Sequence, residues 1–227
     1  MRSRTLLYVS IAAGAIYLFT QKWQPFPGSA LLKGCAAGAL AVLALTARGS
    51  RRGATLLALA LAFSTAGDVL LDLDSRLFAF GLGAFLLAHL TYITLFLRNR
   101  TAGTAPEPWR LMAVLLIVLY SVTLSMWIVP SAGALAVPVV FYVCALTAMV
   151  STATLARFRQ PWVAVGAILF LISDSLLAIH KFKTPVPLHD YLVWTTYYLG
   201  QCGIALGYLG SGDDAHGRNS DSIARGS

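Results

Sequence analysis

Residues 63–74 read FSTAGDVLLDLD and place Asp68 inside a run that is otherwise apolar enough to cross a membrane. Residues 170–179, FLISDSLLAI, do the same with Asp174. Each site has a Phe, a few small or polar residues, an Asp, one further residue and then Leu-Leu. A carboxylate at membrane depth costs about 3 kcal/mol or more on insertion scales, so such residues face the interior of a bundle and mark function. Two of them on comparable helices read as a pair.

The surrounding composition agrees with a membrane setting. The 227 residues are 58% hydrophobic and 11% charged, with a mean hydropathy of +0.73. Soluble domains carry about 25% charged residues, so this is an integral membrane protein. The net charge of +8 is carried by short Arg clusters between apolar runs. That is the positive-inside pattern, and it argues against a nucleic-acid partner. Cys35, Cys144 and Cys202 lie in separate apolar segments without CxxC spacing. They are expected to be small buried hydrophobes rather than a disulfide framework or a thiolate metal site.

A spanning helix needs about 20 apolar residues. Breaks at Pro, Gly and charge clusters leave eight spans, near 5–20, 28–47, 54–73, 77–97, 109–128, 133–156, 161–180 and 189–210. The expected fold is an all-α polytopic bundle of about eight transmembrane helices over 1–210, followed by a polar, disordered tail over 211–227. Arg2, Arg4 and the Ala13-Gly14-Ala15 triplet imitate a signal peptide. The apolar run continues through Phe19, however, and predicts a retained helix.

With the N-terminus inside, the inner segments hold twelve Lys or Arg and the outer loops four, Lys22, Arg76, Lys181 and Lys183. Both termini are therefore expected in the cytoplasm, and the Ala-rich, bacterial-looking composition places the chain in an inner membrane. At 1.5 Å per residue, Asp68 and Asp174 fall about 8 Å below the outer ends of the third and seventh helices. Lys33 comes near the outer surface, and His89, Tyr197, Tyr198 and Gln201 from the outer half to the middle. The echo between FSTAGDVLL and FLISDSLL hints at a parallel repeat of four helices.

Ser64, Ala66 and Gly67 near Asp68, and Ser173 and Ser175 beside Asp174, allow close helix approach and hydrogen bonding. Two carboxyls in one buried site divide into an acid and a base near neutral pH. The plain alternative is that each pairs with Lys33 or a tyrosine and fixes packing. Asp72 and Asp74 read as solvated loop carboxylates, with Asp72 one turn from Asp68 and able to share its site. Asp190 suits the start of the eighth helix. His89 is either an interior histidine or a site residue. His180 and His189 lack any short metal-ligand spacing, so no metal is expected.

The ordered set of motifs resembles the lysoplasmalogenase, or YhhN-like, family. It comprises the Gly67-Asp68 pair, the run through Gly81, Phe85, Ala88, His89, Leu90 and Tyr92, the later Ser173-Asp174, and Tyr197, Tyr198 and Gln201. Where that family carries Lys-Pro, this chain has Lys33-Gly34. The resemblance implies eight membrane helices and hydrolysis of the vinyl ether bond of lysoplasmalogens, giving a fatty aldehyde and a glycerophospho-base. It implies a single-chain phospholipid in the bilayer as substrate and no cofactor. Vinyl ether hydrolysis proceeds by protonation at carbon, capture of the oxocarbenium ion by water, and collapse of the hemiacetal. One acid and one base suffice, as in inverting glycosidases. Asp68 and Asp174 are the expected pair. Lys33 is expected at the phosphate, and Gln201, Tyr197 or Tyr198 at the headgroup. Other classes place acids in a bundle too: a small-solute transporter, an intramembrane aspartyl protease and a metal-dependent lipid hydrolase.

Overall fold

The computed structural model describes residues 2–24, 26, 28–49, 51–99, 105–156, 158 and 160–211. Apart from Ser211, the tail expected to be disordered lies outside the described residues, as do Arg100, Arg157 and Arg159. Eight α-helices, joined by loops and short 3-10 turns, make up most of the described chain: α1 (Arg2–Thr20), α2 (Ser29–Thr46), α3 (Ala54–Leu73), α4 (Phe78–Arg98), α5 (Pro108–Ile128), α6 (Ala136–Leu155), α7 (Trp162–Phe182) and α8 (His189–Gly210). No strand occurs among the described residues.

The breaks fall where the backbone demands them. Gly53 takes φ 86° just before α3, a conformation that a Cβ resists. Pro108 opens α5 in the first turn, where its missing N–H costs nothing. Lengths of 18–22 residues give about 27–33 Å of helix, matching a hydrocarbon core of about 30 Å.

Seven helices are long and apolar enough by themselves to cross a membrane, and α8 is not among them. Its polar residues lower its hydropathy, but Tyr197 and Gln201 point inward and are buried. α8 lies antiparallel along α7 in the most extensive interface of the bundle. Ser173 donates to the Val193 carbonyl at 3.0 Å near one end. A Cβ on Gly166 would stand 2.6 Å from the Gly200 carbonyl oxygen, so glycines let the two backbones meet.

The bundle has two distinct ends. At one, Arg51 stacks on Tyr208, whose hydroxyl donates to the Arg52 carbonyl at 2.5 Å. Arg110 caps α6 through the Thr154 and Ala156 carbonyls. At the other, Lys183 donates to Ser131 at 2.6 Å, and Lys181 lies over the Phe78 ring. Between them runs a core that includes Leu40, Leu57, Leu61, Tyr92, Phe96 and Ile204. Leu115, Leu116, Leu119 and Met126 cover the outside of α5, as a lipid-facing surface requires. Cys35 and Cys144 are exposed rather than buried. The outside of a membrane bundle is apolar too, so hydrophobicity alone did not place them.

Candidate active site

Asp68 is buried, 2% exposed, in the half of α3 nearer the lysine end. A buried carboxylate needs donors, and α8 and α2 supply them. Tyr197 donates to Oδ2 at 2.5 Å, and Lys33 Nζ stands 3.8 Å from Oδ1. The tyrosine is itself held in place. Gln201 donates to its hydroxyl at 3.2 Å, and Tyr92 donates to Gln201 Oε1 at 2.7 Å. A chain of four polar groups therefore runs from the core to Asp68.

One turn farther along α3, Asp72 accepts from Tyr17 at 2.7 Å and from Ser29 at 2.5 Å. It is therefore a half-buried anchor for α1 and α2, not a solvated loop group. Asp74 is the loop carboxylate, exposed and accepting from the Arg76 N–H at 2.8 Å.

Asp174 has a separate set of neighbours. Tyr142 of α6 donates to its Oδ2 at 2.5 Å, and His89 Nε2 of α4 is 3.8 Å from the same oxygen. His89 is fully buried between the rings of Tyr142 and Phe170, and neither ring nitrogen has a hydrogen-bond partner. An orphaned buried imidazole is costly, and its approach to Asp174 is the feature that gives it a use.

Two cavities meet at Asp174. The first, about 240 Å³, is polar and includes Lys33, Asp68, Asp72, His189, Asp190 and Trp194 in its lining. The second, about 70 Å³, is apolar and lies among α4, α5, α6 and α7 with Leu71 of α3 at its edge, and has Leu82, Leu124, Val139 and Leu146 in its walls. Leu71, Phe85, Asp174 and Leu177 line both. A molecule with one wet end and one dry end would place its middle at Asp174.

The residues singled out from the sequence are distributed as follows. Asp68, Asp174, Lys33 and Tyr197 line the polar cavity. His89 and Gln201 stand behind it, touching an aspartate and a tyrosine respectively. Tyr198 is turned away: its hydroxyl bonds Ser10 at 2.8 Å and its ring stacks on Trp194. His180 and His189 stack on each other at 3.8 Å, away from His89. Among the described residues no three His, Cys, Asp or Glu side chains are gathered as a metal would need. Sequence reasoning missed Tyr17, Tyr142 and Trp194. The usable signal was the requirement that each buried carboxylate have a donor at its own depth, which Tyr142 meets from the first half of α6.

The YhhN family model matches residues 28–208. The chain is 39% identical over 154 residues to a lysoplasmalogenase of Mycobacterium bovis, covering 66% of this chain and 59% of that protein. It is 34% identical over 148 residues to the lysoplasmalogenase TMEM86B of Sus scrofa, covering 65% and 60%. It is 30% identical over 163 residues to the lysoplasmalogenase TMEM86A of Bos taurus, covering 67% and 65%. The matches thus span less than two thirds of the length of these relatives. No solved structure matches the chain. The family match takes in α2 to α7 and nearly all of α8, with Lys33, both aspartates and their tyrosine donors inside it, and on that match the chain belongs to the YhhN family.

Proposed function

We propose that the protein hydrolyses the vinyl ether bond of single-chain phospholipids of the lysoplasmalogen type, with Asp68 and Asp174 as the acid–base pair. The observation that carries this reading is the junction of a polar and an apolar cavity at Asp174. The names of the mycobacterial and mammalian relatives point to the same chemistry. The headgroup lies in the polar cavity, where Lys33 is the one lysine or arginine among the lining residues and faces the phosphate. The hydrocarbon chain lies in the apolar cavity and continues into the bilayer past α5.

This placement orders the reaction. The vinyl carbon to be protonated is on the chain side of the ether oxygen, so Asp174, which lines the apolar cavity, gives the proton. The carbon that becomes the oxocarbenium centre faces the polar cavity. Water enters there, and Asp68 takes its proton as it adds. As the hemiacetal breaks to the fatty aldehyde and the glycerophospho-base, Asp68 returns its proton to the glycerol oxygen and Asp174 takes the hydroxyl proton, which restores both carboxyls. Tyr142 and Tyr197 orient the two carboxyls, and Gln201 orients Tyr197. The Arg-rich end faces the cytoplasm of a bacterial inner membrane, so the polar cavity opens outward.

Purified protein with EDTA is expected to release aldehyde from a lysoplasmenyl lipid. Asp68→Asn and Asp174→Asn should each lower turnover about 100-fold or more, the usual weight of one acid–base group. Near-normal release in both variants refutes the assignment. Absence of release with solute flux in liposomes would favour the transporter reading.

A further inference from the structure

Many serine and threonine side chains in these helices bond their own backbone. Thr65, Thr91, Thr94, Thr154, Ser175 and Thr196 each donate to the carbonyl four residues back, between 2.7 and 2.9 Å. Ser121 does not. It is 4% exposed, its hydroxyl has no hydrogen-bond partner, and it lines the apolar cavity. Ser64, Thr147 and Ser151 also have orphaned hydroxyls, but none of them lines a cavity described here. A donor left unpaired in hydrocarbon is unfavourable unless something supplies an acceptor.

Its depth says which acceptor. Lys183, one residue past α7, donates to Ser131, three residues past α5, so the lysine ends of α5 and α7 lie near one level. Ser121 stands seven residues before the end of α5 and Asp174 eight before the end of α7, about 10 and 12 Å along parallel helices. The serine therefore sits across the cavity from Asp174. Tyr142 and Ser175 are the other buried hydroxyls in the wall, and they are committed to Asp174 and Leu171. Ser125, one turn nearer the lysine end, is half-buried.

We propose that Ser121 is the oxygen subsite of the chain chamber, donating a hydrogen bond to the carbonyl oxygen of a long-chain aldehyde whose carbonyl end lies in the apolar cavity. The inference rests on the vinyl ether reading, in which that aldehyde forms beside Asp174. The aldehyde keeps the chain and leaves on the dry side, while the glycerophospho-base leaves through the polar cavity. A carbonyl oxygen accepts but cannot donate, so the subsite needs a free donor, and Ser121 is one.

The test compares decanal with decane as ligands of the purified, detergent-solubilised protein, using ligand-dependent thermal stabilisation to read affinity. Wild type should bind decanal about 3- to 10-fold more tightly than decane, the worth of one hydrogen bond. Ser121→Ala should erase that preference and leave decane binding unchanged, and Ser121→Thr should retain it. Equal binding of the two ligands by wild type, or a preference that survives in Ser121→Ala, overturns the subsite. Aldehyde release from a lysoplasmenyl lipid is assayed on the same wild-type sample. Its absence would refute the hydrolase reading, while the binding comparison still decides the role of Ser121.

Discussion

Tyr142 and Tyr197 reach the two aspartates from other helices, α6 beside α7 and α8 across from α3, and each makes one bond of 2.5 Å to a carboxylate oxygen. A hydrogen bond to a carboxyl is worth about 1.5–3 kcal/mol once that carboxyl is charged. On the proposed reading, Tyr142→Phe and Tyr197→Phe should each lower kcat about tenfold or more while the protein still elutes as a folded species. Tyr198→Phe is the control. Its hydroxyl serves Ser10, so kcat for aldehyde release should stay within about twofold of wild type. The sequence named Tyr197 and Tyr198 together because adjacency conceals direction. Consecutive residues of an α-helix point about 100° apart, and one of the pair faces the aspartate while the other faces α1. Tyr142 was invisible for a related reason. A tyrosine in an apolar helix looks like any other aromatic until the bundle shows which carboxyl it meets.

At the scale of helices, the chain was easy to read. The span expected over 54–73 is α3, and the one expected over 189–210 is α8. The bilayer imposes a length, and Pro, Gly and Arg punctuate it. How the helices pair was not legible, because lipid-facing and protein-facing sides are both apolar. The α7/α8 contact shows what decides it. A Cβ on Gly166 would lie 2.6 Å from the Gly200 oxygen and 2.7 Å from the Ile204 nitrogen, both backbone atoms that cannot step aside. Gly166→Ala should therefore destabilise the protein by about 1–3 kcal/mol, read as a lower midpoint of thermal unfolding in detergent. Gly83 also lies within a helix but has nothing within 4 Å of its would-be Cβ. Gly83→Ala should leave stability unchanged or raise it by up to about 1 kcal/mol. Equal gains at the two glycines would show that helix propensity, not close packing, governs the interface.

At the scale of the molecule, the two ends differ in charge as the sequence implied, and the proposed orientation follows from that difference. With Cys35, Cys144 and Cys202 replaced by Ala, Lys22→Cys should react with an impermeant maleimide added outside intact cells. Arg48→Cys should react only after lysis. The reverse pattern would invert the topology and turn the polar cavity toward the cytoplasm. The meeting of the two cavities at Leu71, Phe85, Asp174 and Leu177 has a consequence for selectivity. Such a boundary sorts an amphiphile by where its solvation changes, and it measures position rather than bond order. On the proposed reading, a lysophospholipid with a saturated alkyl ether in place of the vinyl ether would come to rest in the same register, its ether oxygen beside Asp174. Without a double bond there is no carbon to accept the proton, so it would occupy the site unchanged and compete with substrate. Discrimination would then lie in the chemical step and not in binding, and in a membrane rich in alkyl ether lipids the protein would spend much of its time on molecules it cannot cut.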